Sequence, residues 1–195
     1  MNHAAILSVL FAAAALGRTM PAVGEDWNGD INVLLAGKRL DNNEWAPTQR
    51  QGELGLQTDF QPPAWPVALA VDFLAAGANT PVSYRGFTEQ RARTSELDLG
   101  VRKIFRPAAL VRPYVGGGLA LASAELEYAG PFGTISDHDG GAGAWIGGGV
   151  FWTLASAFNI GLDAKFSSAQ VNLFGQSMDA GGFHLGLLLG YHWGG

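Results

Sequence analysis

The sequence predicts an all-β chain: a closed, eight-stranded, antiparallel up-and-down transmembrane β-barrel over residues 25–195, preceded by an export segment over residues 1–24. Three observations predict it. Apolar residues recur with period two, the spacing of a strand whose two faces meet different surroundings. Glycine supplies 28 of the 195 residues, about twice the average usage of roughly 7% and with no collagen period. The connections between strands alternate between short and long.

Composition removes several classes. Charged residues are 15% and hydrophobic residues 48% of the chain, too apolar for a disordered tail and too evenly apolar for an ordinary soluble surface. A net charge of −5 without any run of Lys or Arg argues against a nucleic-acid partner. The absence of cysteine excludes disulfides, thiolate zinc sites and cysteine nucleophiles.

At the N-terminus, Ala4 to Leu16 form an apolar stretch shorter than the ~20 residues of a spanning helix. It reads as the core of a secretory signal, with Met20-Pro21-Ala22-Val23-Gly24 placing small residues for cleavage after Gly24. Met1-Asn2-His3 lacks the usual Lys or Arg.

Eight strands are then predicted at 29–39, 49–60, 65–76, 92–105, 110–127, 141–154, 157–170 and 179–193. The last alternates most clearly: Phe183, Leu185, Leu187, Leu189, Tyr191 and Trp193 against His184, Gly186, Leu188, Gly190 and His192. Strand seven sets Phe158, Ile160, Leu162, Ala164 and Phe166 against Asn159, Gly161, Asp163, Lys165 and Ser167, and strand four sets Leu97, Leu99 and Val101 against Glu96, Asp98, Gly100 and Arg102. Tight turns are expected around Gln61–Ala64, Arg106–Ala108 and Ala155-Ser156, and long polar loops over 41–48, 77–91, 128–140 and 171–178. Tight turns at one end and long loops at the other suit a membrane barrel with an even strand count.

The bulky face is expected to point outward, because an eight-stranded interior is narrow and takes small residues and a few charges more easily than bulk. A soluble, lipocalin-like barrel would show the inverse arrangement. Aromatic residues gather near the strand ends: Trp27, Phe60, Trp65, Phe105, Trp152, Tyr191 and Trp193 at the short-turn end, with Tyr84, Phe87, Tyr128, Phe132 and Phe174 at the other. Amphipathic rings settle at membrane interfaces.

From Trp27 to Trp193 the chain resembles the eight-stranded outer-membrane barrels of the OmpA transmembrane domain and OmpX type. The resemblance lies in Val101-Arg102-Lys103-Ile104-Phe105, a short turn and Val111-Arg112-Pro113-Tyr114-Val115-Gly116-Gly117-Gly118, and in the aromatic-ended last strand Gly190-Tyr191-His192-Trp193. It implies a place in the bacterial outer membrane, insertion by the barrel-assembly machinery and contact with outer-membrane lipid. It implies no activity and no cofactor.

Parity sends Lys38, Glu53, Gln57, Asp59, Asp72, Glu96, Asp98, Arg102, Arg112, Asp163, Lys165, His184 and His192 into the lumen. Acids and bases enclosed together must pair, because an unpaired buried charge costs several kcal/mol. Two readings follow: a plug that closes the pore, and a narrow path for protons or ions. Counting from the short turns puts Glu53, Asp72, Asp98 and Asp163 at one height, a ring that would favour cations.

Catalysis is not expected. His138, His184 and His192 are each followed two residues later by glycine, so the His-x-Ser pair of lipid A deacylases is missing. Ser136-Asp137-His138-Asp139 could imitate a palmitoyltransferase cluster, but adjacent residues point apart and form no relay. The same loop offers three donors and no fourth, so no metal site is assigned. The glycine triplets at 116–118 and 147–149 lack the Lys-Ser/Thr pair of a phosphate loop. Lys38, Arg39, Arg50, Arg85, Arg91 and Arg93 lie near the outer strand ends, at the height of lipopolysaccharide phosphates, which guanidinium groups grip with two parallel hydrogen bonds. A structural or surface-interaction role is therefore expected, through lipopolysaccharide or an unknown protein at the long loops. The alternatives are a narrow channel for ions or small apolar molecules, and a lipid A-modifying enzyme.

Overall fold

The computed structural model describes residues 27–105, 108–155 and 157–194. The expected export segment over residues 1–24 lies outside them, as do parts of two expected tight turns, residues 106–107 and 156. In chain order the elements are β1 (Asn28–Arg39), the single-turn α1 (Asn42–Trp45), β2 (Arg50–Gln61), β3 (Ala68–Tyr84), β4 (Phe87–Ile104), β5 (Val111–Gly130), β6 (Gly133–Leu154), β7 (Phe158–Leu173), β8 (Gln176–Asp179) and β9 (Gly182–Trp193).

Every pairing is antiparallel, and β1 to β7 meander in sequence order. The barrel closes because β9 pairs with both β1 and β7, from Gly29↔Trp193 to Arg39↔Phe183 on one side and from Phe158↔Tyr191 to Ser167↔Gly182 on the other. The predicted eight-stranded barrel is thus the observed fold. Closure leaves the backbone groups of the wall paired within it, as a hydrocarbon environment demands.

The faces point as expected. Leu185 and Leu187 are 57% and 54% exposed, and Leu189, Ile160 and Leu162 share their outward face, whereas Asp98, Asp163 and His184 are enclosed. This arrangement excludes the soluble, inverted barrel. The interior holds more bulk than expected: Leu34, Leu74, Tyr114, Phe151 and Leu188 form an enclosed cluster, and Trp145 packs with Ala70 and Ala120. Glycine makes room for these rings. A Cβ on Gly116 would meet the Trp145 ring at 3.0 Å, and one on Gly118 would collide with the Leu99 carbonyl.

Three of the four expected long loops are largely strand. β3 and β4 continue to a turn at Arg85-Gly86 (φ 48° and 85°), and β7 and β8 join through Phe174-Gly175 (φ 50° and 74°). Left-handed backbone at both central positions is the type I′ geometry that matches strand twist. β5 and β6 pair as far as Gly130↔Gly133. β8 belongs to a hairpin outside the barrel, so the expected eighth strand at 179–193 starts at Gly182 instead. A strand crosses a bilayer in ≈ 9–11 residues, and β6 has 22. The sheet of β3 to β6 therefore stands well beyond the barrel rim as a wall. Of the four expected long loops, residues 41–48 remain a loop, with Asp41 accepting from the Asn43 amide at 2.6 Å to start α1.

Candidate functional site

The lumen is filled in layers. At the short-turn mouth, Arg112 donates to Asp30 at 2.6 Å, to the Asn159 side chain at 2.9 Å and to the Thr153 hydroxyl at 2.8 Å. Asn159 also donates to Asp30, and His192 lies 3.1 Å from it. Deeper in, Arg102 bridges Asp59 and Asp72 at 2.7 and 2.8 Å, and Lys165 bridges Asp72 and Asp98 at 2.7 Å each. Tyr114 and Trp145 lie beside these cations: Arg102 sits 5.1 Å from the Tyr114 ring centre and Lys165 4.8 Å from that of Trp145. The Tyr114 hydroxyl donates to Asp163.

Nearer the long-hairpin end, Lys38 donates to Glu96 at 3.0 Å, to the Thr94 hydroxyl and to the Ala180 carbonyl. Beside it His184 Nδ1 lies 2.7 Å from Glu53, and its Nε2 lies 3.1 Å from the Ser167 hydroxyl. Above this layer sits an apolar cap of Leu40, Trp45, Leu126, Val171, Leu173 and Met178 among small residues. Trp45 donates from its indole to the Asp179 carbonyl at 2.7 Å, and the Asp179 amide donates to Glu44 at 2.7 Å, so α1 is latched to β8.

The four acids counted to one height fall into three separate contacts: Asp72 and Asp98 share Lys165, Glu53 faces His184, and Asp163 faces Tyr114. Equal distance from a turn is not equal height in a barrel, because tilted strands are staggered from one to the next. Lys38, expected both in the lumen and at the lipopolysaccharide surface, is 3% exposed. It points inward and cannot make the second contact. Sequence reading overlooked Asp30, Asn32 and Tyr114, and set Asn159 on the polar face of strand seven without giving it a role. Parity was signal enough for Asp30 and Asn32, which alternate with the outward Ile31 and Val33. It also overlooked the Ser167–His184–Glu53 arrangement, whose members sit on three different strands.

Outside, cross-strand rows are read from the register. Phe73, Leu97 and Leu121 make an apolar row. One row higher stand Ala75, Ser95 and Ser123, and above them Arg93, Glu125 and His138, with Arg93 and Glu125 3.2 Å apart. Higher still, Arg91 contacts Glu127 at 2.8 Å and Glu89 at 2.7 Å. Glu89, through its hydrogen bond, holds Arg91 more firmly protonated. On β1 and β2 Arg39 and Arg50 are direct cross-strand partners, both outward and exposed. Arg85, at the tip of the β3–β4 hairpin, lies over the Tyr84 ring at 5.1 Å. Behind the wall, Asp139 and Asp137 reach across to β7 and accept from the Asn172 and Phe174 amides at 2.7 and 2.6 Å. No cluster of metal-ligating side chains occurs among the described residues.

A closed barrel with a greasy outer belt and a charged interior defines a membrane barrel of the outer-membrane class. The family model for the outer membrane protein beta-barrel domain matches residues 4–194, and the chain belongs to that family. It is a protein of the bacterial outer membrane. No curated protein matches it. Similar solved structures include Ail, the attachment invasion locus protein of Yersinia pestis, in complex with the heparin analogue sucrose octasulfate, at 14% identity and a TM-score of 0.56 over 86% of this chain and 99% of that one. Neisserial surface protein A is similar at 11% identity and a TM-score of 0.57, over 85% of this chain and 94% of that one. The outer membrane protein OprG from Pseudomonas aeruginosa is similar at 11% identity and a TM-score of 0.56, over 88% and 98%. At these identities the likeness is one of fold.

Proposed function

We propose that this chain is a closed barrel with a structural and surface-interaction role: it passes no ions, carries out no catalysis, and contacts lipopolysaccharide through basic residues at its long-hairpin end. A protein partner at the hairpin tips belongs to the same reading, as does recognition of the aromatic-ended β9 by the barrel-assembly machinery. The observation that carries it is the layered lumen. Bulk and paired charge alternate from the Arg112–Asp30 mouth to the Trp45 cap, and an ion entering would have to break pairs held away from water.

The Ser167–His184–Glu53 arrangement places a hydroxyl, an imidazole and a carboxylate in hydrolase order. All three are enclosed beneath the cap, which supports a register-fixing role rather than attack on lipid. Lipid A from cells with and without the gene is therefore expected to have the same mass spectrum. Arg39, Arg50 and Arg85 have no acidic partner among the described residues, whereas Arg91 and Arg93 are engaged with glutamates. The unpaired three are the better lipopolysaccharide contacts.

One observation favours a narrow cation path instead. Among the described residues the lumen encloses seven acids, Asp30, Glu53, Asp59, Asp72, Glu96, Asp98 and Asp163, against Lys38, Arg102, Arg112 and Lys165. Planar-bilayer recording decides between the two. The closed reading expects a silent membrane after insertion; reproducible cation-selective steps would overturn it.

A further inference from the structure

Within the lipopolysaccharide-binding reading, on which this inference rests, we infer that the outward face of β1 and β2 is a built seat for a phosphorylated glycolipid of the outer leaflet. Arg39 and Arg50 hold the phosphate, and the backbone trough below them receives the lipid body. Four facts place it there.

First, Arg39 and Arg50 are registered partners on adjacent strands, on the same outward face. Like charges directly opposite destabilise a sheet, and the ladder offers no internal relief. The acids nearest in sequence are committed elsewhere: Asp41 accepts from the Asn43 amide and Glu44 from the Asp179 amide. An anion between the two guanidinium groups removes the repulsion, and a phosphate oxygen pair matches their fork geometry.

Second, the next outward row is Gly37 and Gly52, themselves registered partners, with Gly77 beyond them on β3. A Cβ added at Gly37 or Gly52 would meet nothing within 4 Å. Most glycines of this wall, such as Gly100 and Gly118, are wedged against neighbouring backbone, so their lack of a side chain is explained by packing. At Gly37 and Gly52 internal packing requires nothing, and the missing side chains leave an open trough on the outside.

Third, the row of Arg39 continues through Phe183 on β9 to Phe166 on β7, both about half exposed. Beneath the trough lie the exposed Leu35, Leu54 and Leu187. The site therefore stands where the apolar belt meets water, cationic above and apolar below, which is the order of phosphate, sugar and acyl chain in an outer-leaflet glycolipid. Fourth, where the glycine row continues beyond Gly77 onto β4 and β5 the cation is already neutralised, with Arg93 paired to Glu125.

The test measures binding to the folded, detergent-solubilised full chain by native mass spectrometry. The probes are bis-phosphorylated lipid A, its dephosphorylated form and inorganic phosphate. The variants are Arg39→Gln/Arg50→Gln, Gly52→Leu and Arg91→Gln/Arg93→Gln, each first checked for the barrel's faster gel mobility before boiling. The seat predicts about tenfold or more weaker binding of phosphorylated lipid A by the first variant, since charge-assisted contacts to phosphate are lost. It predicts a several-fold loss in Gly52→Leu for both lipids, and little change in the third variant. Loss confined to Arg91→Gln/Arg93→Gln would overturn the seat while leaving a lipopolysaccharide-binding role intact. Competition by inorganic phosphate at comparable concentration would make this a free-anion site and overturn the glycolipid assignment. Failure of the unaltered protein to retain phosphorylated lipid A would end both readings.

Discussion

Lys165 shows what a single enclosed side chain does in this barrel. Its ammonium bridges Asp72 and Asp98 at 2.7 Å each, with all three away from water. Changing Lys165→Met preserves most of its volume, strands the Asp98 carboxylate and leaves Asp72 with Arg102 alone, and breaking a buried pair from one side costs about 3–5 kcal/mol. The urea midpoint for loss of the heat-modifiable form is expected to fall markedly, and Lys165→Met/Asp98→Asn to recover part of the loss. An unchanged midpoint in the single variant would show that the network does not stabilise the wall. Such residues were legible from parity, because β7 alternates Asp163, Lys165 and Ser167 against Leu162, Ala164 and Phe166. What parity does not carry is which acid meets which base. Nor does it carry that the Tyr114 hydroxyl supplies the proton donor that Asp163 takes in place of a cation.

Elements were legible where lipid touches them and illegible where it does not. Within the belt one face is greasy and the other enclosed, so period two appears in the residues. Above the belt the outer face of β3 to β6 meets water and carries Arg91, Arg93, Glu125 and Glu127, while the inner face reaches the cap mainly through small residues such as Ala92 and Ala124, so the apolar alternation fades and strand reads as loop. The Arg85-Gly86 turn was the remaining signal, since glycine at the second of two left-handed positions marks a hairpin. The free edge of the wall is tied down by side chains: Asp139 accepts the amides of Asn172 and Gly140, and these hydrogen bonds hold its carboxyl below its ordinary value of 3.8. A carboxylate with a depressed folded-state pKa stabilises above the unfolded value and loses that contribution as pH falls through the folded one. The clamp is therefore expected to be intact at neutral pH and to release only below about pH 4. The Asn172 amide resonance should shift upfield across that range in the folded protein, and in Asp139→Asn it should show no such titration. A midpoint above 4 would remove the clamp from the account.

At the scale of the whole molecule, closure arises from two structures of different origin, a cap in which Trp45 of the 41–48 loop meets strand ends that project beyond the rim, and a filling made by the wall itself. The filling was foreseeable, because charges facing a narrow lumen must pair. The cap was not: Trp45 sits in the 41–48 loop, and its partners Val171, Leu173 and Met178 come from a hairpin outside the barrel, a union that no local pattern announces. The two seals make separable predictions. Trp45→Ala removes the largest side chain of the cap and its hydrogen bond to Asp179, which unlatches α1 from β8 and exposes residues 41–48 to protease. Beneath it, the Lys38–Glu96 contact and the Lys165 and Arg102 bridges belong to strands that the substitution does not touch. Trp45→Ala is therefore expected to be cleaved faster within 41–48, to keep its barrel mobility on gels, and to remain electrically silent in planar bilayers. Current through Trp45→Ala alone would mean that the cap, and not the paired charge below it, keeps the lumen shut, and the acid excess inside would then read as the lining of a cation path.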